Sequence, residues 1–516
     1  MVRHVLGLLT TPKWEMLLKD EICFSFRMAA PMPEYLVLFR VSKESAGERR
    51  GEFRKLFAGI AELSQGFLML TDSSRRGAEL SRLEVPAMPV GLTVASKENL
   101  VALSTSDGLL DACLELMDSK DYAGSIAKDQ RFAAGFEGLG DGRNGQVFLD
   151  LPGEMGFLSN VLGMVAGGMQ GNQDMAGIFS ILKTVIEEVG RIGPITSVDR
   201  VEGDQMVTST KVAFVQGDRP GFIEGLVRDR EPLPDVLRAV PKNALAFHVT
   251  SGVDLLKIHD ALVGLLRERL PRGPAALEHW DRIQKRIGFN LRDDLLSLIE
   301  GTMGWVVFPR EPAGTGTESL FFMRVRNGEK LKEMIRKCAN KVKDYVTGRG
   351  QEMEFAEIPE WRNEFREVRV PAFSCFRPVI GFPSDDIFLI GSSVGCANRI
   401  RATMGGNEPN FTENPAFKAL QMPDGPVMQI SYRNLQGSLK CLADCTAAVG
   451  FVASVLPANH DTRHARKLGA ILTKLSKFLR DVDIAVDEGS WVRYDPEKHA
   501  IFSRQMARPR GEPKKL

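Results

Sequence analysis

In NALAFHVT, which starts at Asn243, apolar and polar residues alternate, and the β-favourable side chains predict a strand over Ala244–Thr250. Helical spacing then takes over, with Leu255, Leu256, His259, Leu262, Val263 and Leu266 forming one stripe. GFNLRDDLLSLIEG reads as a short helix with Asn290 as its N-cap. MGWVVFP and ESLFFMRV read as two strands joined by EPAGTGT, whose Pro and Gly demand a turn. NGEKLKEMIRKCANKVKDYV is a surface helix capped by Asn327. Further strands are predicted in PAFSCFRPVIGF, DIFLIGSS and PVMQISY, interrupted by a short helix from Val394 and a helical turn in NPAFKAL. Two helices, over 435–456 and 464–479, precede strands in DIAVDEG, WVRYD and AIFSRQMA.

The same pattern occurs once before. EYLVLFRV at Glu34 matches ESLFFMRV at Glu318, and ENLVALSTSDG at Glu98 matches DIFLIGSSVG at Asp386. DQRFAAGFEGL and NPAFKALQMP align through Phe132 and Phe417. VFLDL at Val147 then matches VMQIS at Val427, and ILKTVIEEV at Ile181 matches ILTKLSKFL at Ile471. The pairs keep one order and are each separated by about 285 residues, which marks a tandem duplication. Strands come in hairpin-like pairs with helices between groups, so the expected class is α+β, each repeat a largely antiparallel sheet backed by helices.

The repeats are placed at residues 1–225 and 231–507, with 508–516 as a basic disordered tail. The second opens at LPDVLRAVPKNALAFHV from Leu233, and the first lacks a counterpart of about 50 residues. Either the first repeat is abbreviated, or the recorded start lies inside a longer chain with any signal peptide upstream. The second reading is preferred, because loss of an opening strand would leave sheet edge and core exposed.

A chain of 516 residues, 43% of them hydrophobic, buries a substantial core and should form two or more domains. Lys plus Arg number 67 and Asp plus Glu 66, so no global field marks a nucleic-acid partner. The ending is a local exception, with Arg504, Arg508, Arg510, Lys514 and Lys515 among Pro and Gly. No run reaches the ~18–20 apolar residues of a spanning helix. The start, MVRHVLGLLTTPKWEMLL, carries no secretion signal as written. Localisation is therefore periplasmic or envelope-associated if the chain continues upstream, and cytoplasmic otherwise.

Candidate chemistry is sparse. Cys23, Cys113, Cys338, Cys375, Cys396, Cys441 and Cys445 form no CxxC pair and read as small buried apolar residues. Gly140, Gly142 and Gly145 have dinucleotide-turn spacing, but a helix-like segment precedes them and a strand follows, so they read as a turn. Ser392 and Ser393 in GSSVG lack the GxSxG pattern of a nucleophile elbow and read as helix caps. His460 and His464 stand one helical turn apart, a zinc-compatible spacing with no third ligand, and are the metal candidates. The Gly- and Met-rich GMVAGGMQGNQDMAG reads as a loop between core helices or a partner-binding segment. No catalytic or cofactor-binding residue is assigned.

LPDVLRAVPKNALAFHVTSGVDLL, GFNLRDDLLSLIEG, ESLFFMRVRNGEKL and DIFLIGSS followed by NPAFKAL give the second repeat a resemblance to a family of bacterial envelope proteins, domain of unknown function 3352. The resemblance implies an exported or membrane-tethered protein and supplies no catalytic residues. The resulting expectation is a non-enzymatic binding or scaffold protein of the bacterial cell envelope, its partner an unidentified protein or envelope ligand. Two alternatives stand: a hydrolase with a site between the repeats, for which His259, His460 and His464 are the first residues to test, and an oligomeric assembly protein.

Overall fold

The computed structural model describes residues 21–29, 33–86, 91–119, 124–140, 144–168, 173–215, 221–228, 236–251, 254–270, 272–310, 316–347, 354–358, 365–369, 377–419, 427–455, 463–482 and 486–509. Two compact units result, Met1–Ala134 with Gly156–Leu158, and Gly135–Met155 with Ser159–Leu516. The fold is α+β, with two sheets antiparallel at every pairing among the described residues.

The first unit runs β1 (Glu21–Arg27), β2 (Glu34–Arg40), α1 (Lys43–Leu63), β3 (Met69–Arg75), β4 (Ala78–Glu84), β5 (Gly91–Lys97), β6 (Leu100–Ser104) and α2 (Asp107–Asp118). Its strands form one sheet in the order β1-β2-β6-β5-β4-β3. Successive side chains of a strand face opposite ways, so β2 serves two cores. Phe39 and Val37 join Val94 and Val101 under Phe53 and Phe57 of α1. Leu36 and Leu38 join Leu80 and Ala102 under Leu110 and Leu114 of α2.

After α3 (Gln130–Phe136), the chain continues through β7 (Gly145–Leu149), α4 (Leu151–Gly168), α5 (Gln173–Gly190), β8 (Ile192–Glu202), β9 (Gln205–Phe214) and α6 (Phe222–Arg228). The second repeat supplies β10 (Ala246–Thr250), α7 (Leu255–Arg269), α8 (Gly273–Ile287), β11 (Ile299–Pro309), β12 (Thr317–Val325) and α9 (Gly328–Thr347). There follow β13 (Glu354–Glu357), β14 (Phe365–Arg369), β15 (Val379–Ser384), β16 (Ile387–Gly391), α10 (Val394–Met404) and α11 (Pro415–Ala419). The chain closes with β17 (Gln429–Asn434), α12 (Leu435–Val455), α13 (Arg463–Asp481), β18 (Val486–Asp495) and β19 (Ala500–Pro509).

The second sheet has thirteen strands in the order β13-β14-β15-β16-β12-β11-β10-β17-β18-β19-β9-β8-β7. Its first six, read inward as far as β11, repeat the order of the first sheet strand for strand, with β11 in the place of β1 and β13 in that of β3. β10 sits between β11 and β17 and joins the two halves of the second repeat. The compact units divide elsewhere than the repeats, because the β8–β9 hairpin of the first repeat pairs through β9 onto β19 of the second.

A polar clamp recurs with the strand order. Ser106, the N-cap of α2, accepts from Leu109 N at 3.2 Å and donates to Glu34 Oε1 at 2.9 Å. Ser393, the N-cap of α10, accepts from Cys396 N at 3.2 Å and donates to Glu318 Oε1. Beside each, the next strand residue donates its N–H to a hydroxyl: Tyr35 to Thr105 at 2.9 Å, Ser319 to Ser392 at 3.0 Å. Of the GSSVG serines, Ser393 is thus the cap its position at a strand-to-helix turn requires, whereas Ser392 serves β12 instead of capping the helix.

Several expectations change. The first strand of the second repeat begins at Ala246 rather than Ala244, and the VDEG of DIAVDEG and WVRYD belong to the single strand β18, residues 483–485 lying outside the described residues. Arg504 and Arg508 do not lie in a tail: both are in β19, which pairs with β18 and β9, and they meet Glu202 and Asp204 at 2.5 and 3.1 Å. Cys23 is exposed on β1, Cys113 is half-buried, and Cys396 alone of the three described thiols is buried. Gly138 and Gly140, at φ +83° and +86°, make the turn before β7, and Gly142 lies outside the described residues.

Candidate functional site

A concavity that combines apolar walls with convergent polar groups lies on the sheet in the second unit, with a volume of about 590 Å3. Small-molecule sites span about 300–1,000 Å3. Its floor follows from strand register. Trp305 pairs with His248, His248 with Ser431, Ser431 with Ser490, and Ser490 with Gln505. Directly paired residues of an antiparallel sheet share a face, so β11, β10, β17, β18 and β19 present one row, Trp305-His248-Ser431-Ser490-Gln505. Ala246 and Val307, paired two residues along, add apolar floor.

Phe247 shows why these side chains are free to line a cavity. It stands between Ala246 and His248, faces the opposite way, is 0% exposed, and packs at 4.6 Å edge-on to Phe411 and at 6.0 Å against Tyr432. The sheet thus spends one face of β10 on an aromatic core and leaves the other to His248. The wall over the floor is α12, through Ser438, Leu439 and Leu442. Trp305 and Leu442, 43% and 53% exposed, put large apolar surface at the opening.

The His248 ring lies nearly parallel to the Trp305 indole, with centroids 6.5 Å apart and planes 18° apart. Burial lowers the His248 pKa, because a partly dehydrated imidazole resists charging, so the ring is neutral at neutral pH. Ser431 and Ser490 share a hydrogen bond of 2.6 Å between their hydroxyls. The arrangement offers a neutral ring, two hydroxyls and an amide beside indole and leucine surface, with the cross-strand partners Arg433 and Glu488 also in the lining. Such a set hydrogen-bonds a polar group while it buries an apolar body.

The sequence candidates fall elsewhere. His460 lies outside the described residues, and His464 opens α13 with its side chain outside them. His259 on α7 meets Asp260 at 3.1 Å, but Arg292 already holds that carboxylate through Nε and Nη2, both at 2.8 Å. The guanidinium keeps the Asp260 carboxyl well below the usual carboxylate range, which leaves it no role as a base near neutrality. No group of three metal-ligating side chains occurs among the described residues. Burial pushes the Cys396 thiol up to about 12, so it is no nucleophile.

Of the cavity residues, His248 alone carried a readable signal. Its place one step from Phe247 in an alternating strand puts it on the face opposite the core. Ser431, Ser490 and Gln505 become neighbours only through pairing of strands distant in sequence.

No family model matches the chain, and no curated protein does. Crystal forms IV and III of TP0453 resemble 52% of this chain at 7% identity, covering 77% and 75% of their own length with TM-scores of 0.21 and 0.22. A likeness of that size carries no function across.

Proposed function

We propose that the protein is a non-enzymatic binding protein of the bacterial cell envelope that holds an amphipathic ligand, an apolar body with a hydrogen-bonding end, in the cavity under α12. The observation that carries the reading is the polar row from Trp305 to Gln505 set against Leu439 and Leu442. The envelope setting rests on the resemblance to the domain of unknown function 3352 family. Binding is tested with phenylnaphthylamine, whose fluorescence rises in an apolar site. Enhancement saturates with the wild-type chain, and Leu442→Arg weakens it roughly tenfold by placing an unpaired charge at the opening. Equal binding by Leu442→Arg would sink the proposal.

A hydrolase reading of the cavity itself, other than the one between the repeats on His259, His460 and His464, would draw on His248 and Ser431 as cross-strand neighbours. Against it, Ser431 is engaged by Ser490, and among the described residues no carboxylate holds the His248 ring as a catalytic triad requires. Covalent labelling of Ser431 by a fluorophosphonate would reverse the non-enzymatic assignment.

A further inference from the structure

α13 packs on α12 along a close crossing, where a Cβ added at Gly450 would stand 3.1 Å from the Gly469 carbonyl oxygen. Arg480 adds an ion pair to Asp444 at 2.8 Å. Gly469 and Ser476 are buried. Leu468, Ile471, Leu475 and Phe478 are instead 52%, 61%, 42% and 63% exposed. Their spacing of three, four and three residues sets them in one uninterrupted stripe along the helix. Lys467 and Lys474 flank that stripe, and Lys477 stands farther around the helix. All three are exposed, with no ion pair among the described residues.

The first repeat contains a control. Its corresponding helix, α5, also exposes a stripe, Ile178, Leu182 and Val185 at 44%, 43% and 46%. There the neighbouring cation, Lys183, lies 3.8 Å from Glu187, and Glu188 adds a further acid. Apolar exposure is thus common to both repeats, whereas uncompensated positive charge belongs to α13.

We propose that α13 is a docking surface for an anionic lipid bilayer, its four apolar side chains entering the interface while Lys467 and Lys474 beside the stripe meet the phosphate and carboxylate headgroups. A helix lying in the interface needs this combination: a stripe that leaves water and cations at its border that reach the headgroup layer. Among the described residues no helix is long and apolar enough to cross a membrane, so the contact is peripheral. The proposal is separate from the cavity reading, and failure of either leaves the other standing.

The test is co-sedimentation of the full chain with vesicles of phosphatidylcholine alone and of phosphatidylcholine with about one-third phosphatidylserine. The chain binds the anionic vesicles and is released by salt. K467E/K474E lowers that affinity by at least tenfold, since each lysine near an anionic surface is worth roughly fivefold. L475S/F478S abolishes binding, whereas I178S/V185S on α5 binds as wild type does, and circular dichroism verifies that each variant is folded. Absence of binding to anionic vesicles, equal binding to neutral ones, or retention by L475S/F478S would each overturn the proposal. So would a dimer that L475S/F478S dissociates, because the stripe would then belong to a second copy of the chain.

Discussion

The first sheet and the outer half of the second share a strand order and a glutamate–serine clamp, yet they end differently. β11 continues into β10, whereas β1 is the terminal strand of its sheet among the described residues. By register on β2 and β12, Phe24 holds the place of Trp305, and Ser25 and Arg27 hold those of Val306 and Phe308. Val306 and Phe308 are 1% and 0% exposed, while every residue of β1 is exposed. The side chains have followed the surroundings: where the second repeat packs a core, the first places a hydroxyl and a guanidinium paired to Glu34. The opposite face of β1 stays apolar, with Ile22, Phe24 and Phe26 exposed at 45%, 59% and 41%.

The comparison breaks most visibly at the aromatic residues. Phe247→Ala empties a fully enclosed site on β10 and costs about 3–5 kcal/mol, read from the urea midpoint of the second unit. Phe24→Ala removes a ring that is 59% exposed and shifts stability by less than about 0.5 kcal/mol. Equal losses would show that β1 is covered in solution.

A smaller effect separates the clamps. The Glu318 side chain is 8% exposed and that of Glu34 24%. Glu318→Ala loses a charge-assisted cap bond in a buried setting and costs about 2 kcal/mol, whereas Glu34→Ala costs about 1 kcal/mol or less, as solvent screens its pair. Thermal melts of the two variants give the ratio. Equal costs would mean that burial does not set the strength of the clamp.

The smallest effect is in pH. The His248 pKa lies below the ordinary 6.5, so the folded protein takes up the proton less readily than the unfolded chain. Its contribution is complete above pH 6.5 and is lost as pH falls through the lowered value. In the first unit, Arg54 and then Ser81 hold the Asp72 carboxyl down to about 2 from an ordinary 3.8. That contribution is complete above 3.8 and is lost towards 2. His248→Gln should flatten the earlier decline in melting temperature and Asp72→Asn the later one. A profile unchanged by His248→Gln would mean that the ring is not dehydrated.

Local pattern revealed the duplication, most strands and both serine caps, because alternation and capping are written within a few adjacent residues. β13 and β14 were missed: EFAE and FREVR are short and carry Glu354, Glu357, Arg366, Glu367 and Arg369 around few apolar residues, which suits the outer strands of a sheet but hides the apolar signal. β18 was split because Gly489 interrupts its β-favourable run, although Gly489 pairs with both Tyr432 and Met506. The cavity was illegible for another reason. Its row takes one residue from each of five strands, and register between distant strands is fixed by packing rather than by neighbours in sequence.

The pairing of β9 with β19 also sets a timetable for synthesis. At about 5–20 residues per second, β9 leaves the ribosome roughly 15–60 seconds before its partner exists. Through that interval β9 is an open template for any passing strand, while the first sheet, whose described strands all lie within Glu21–Ser104, closes at once. Nascent chains stalled before Ala500 should therefore recruit chaperones at β9 and leave the first unit already protease-resistant.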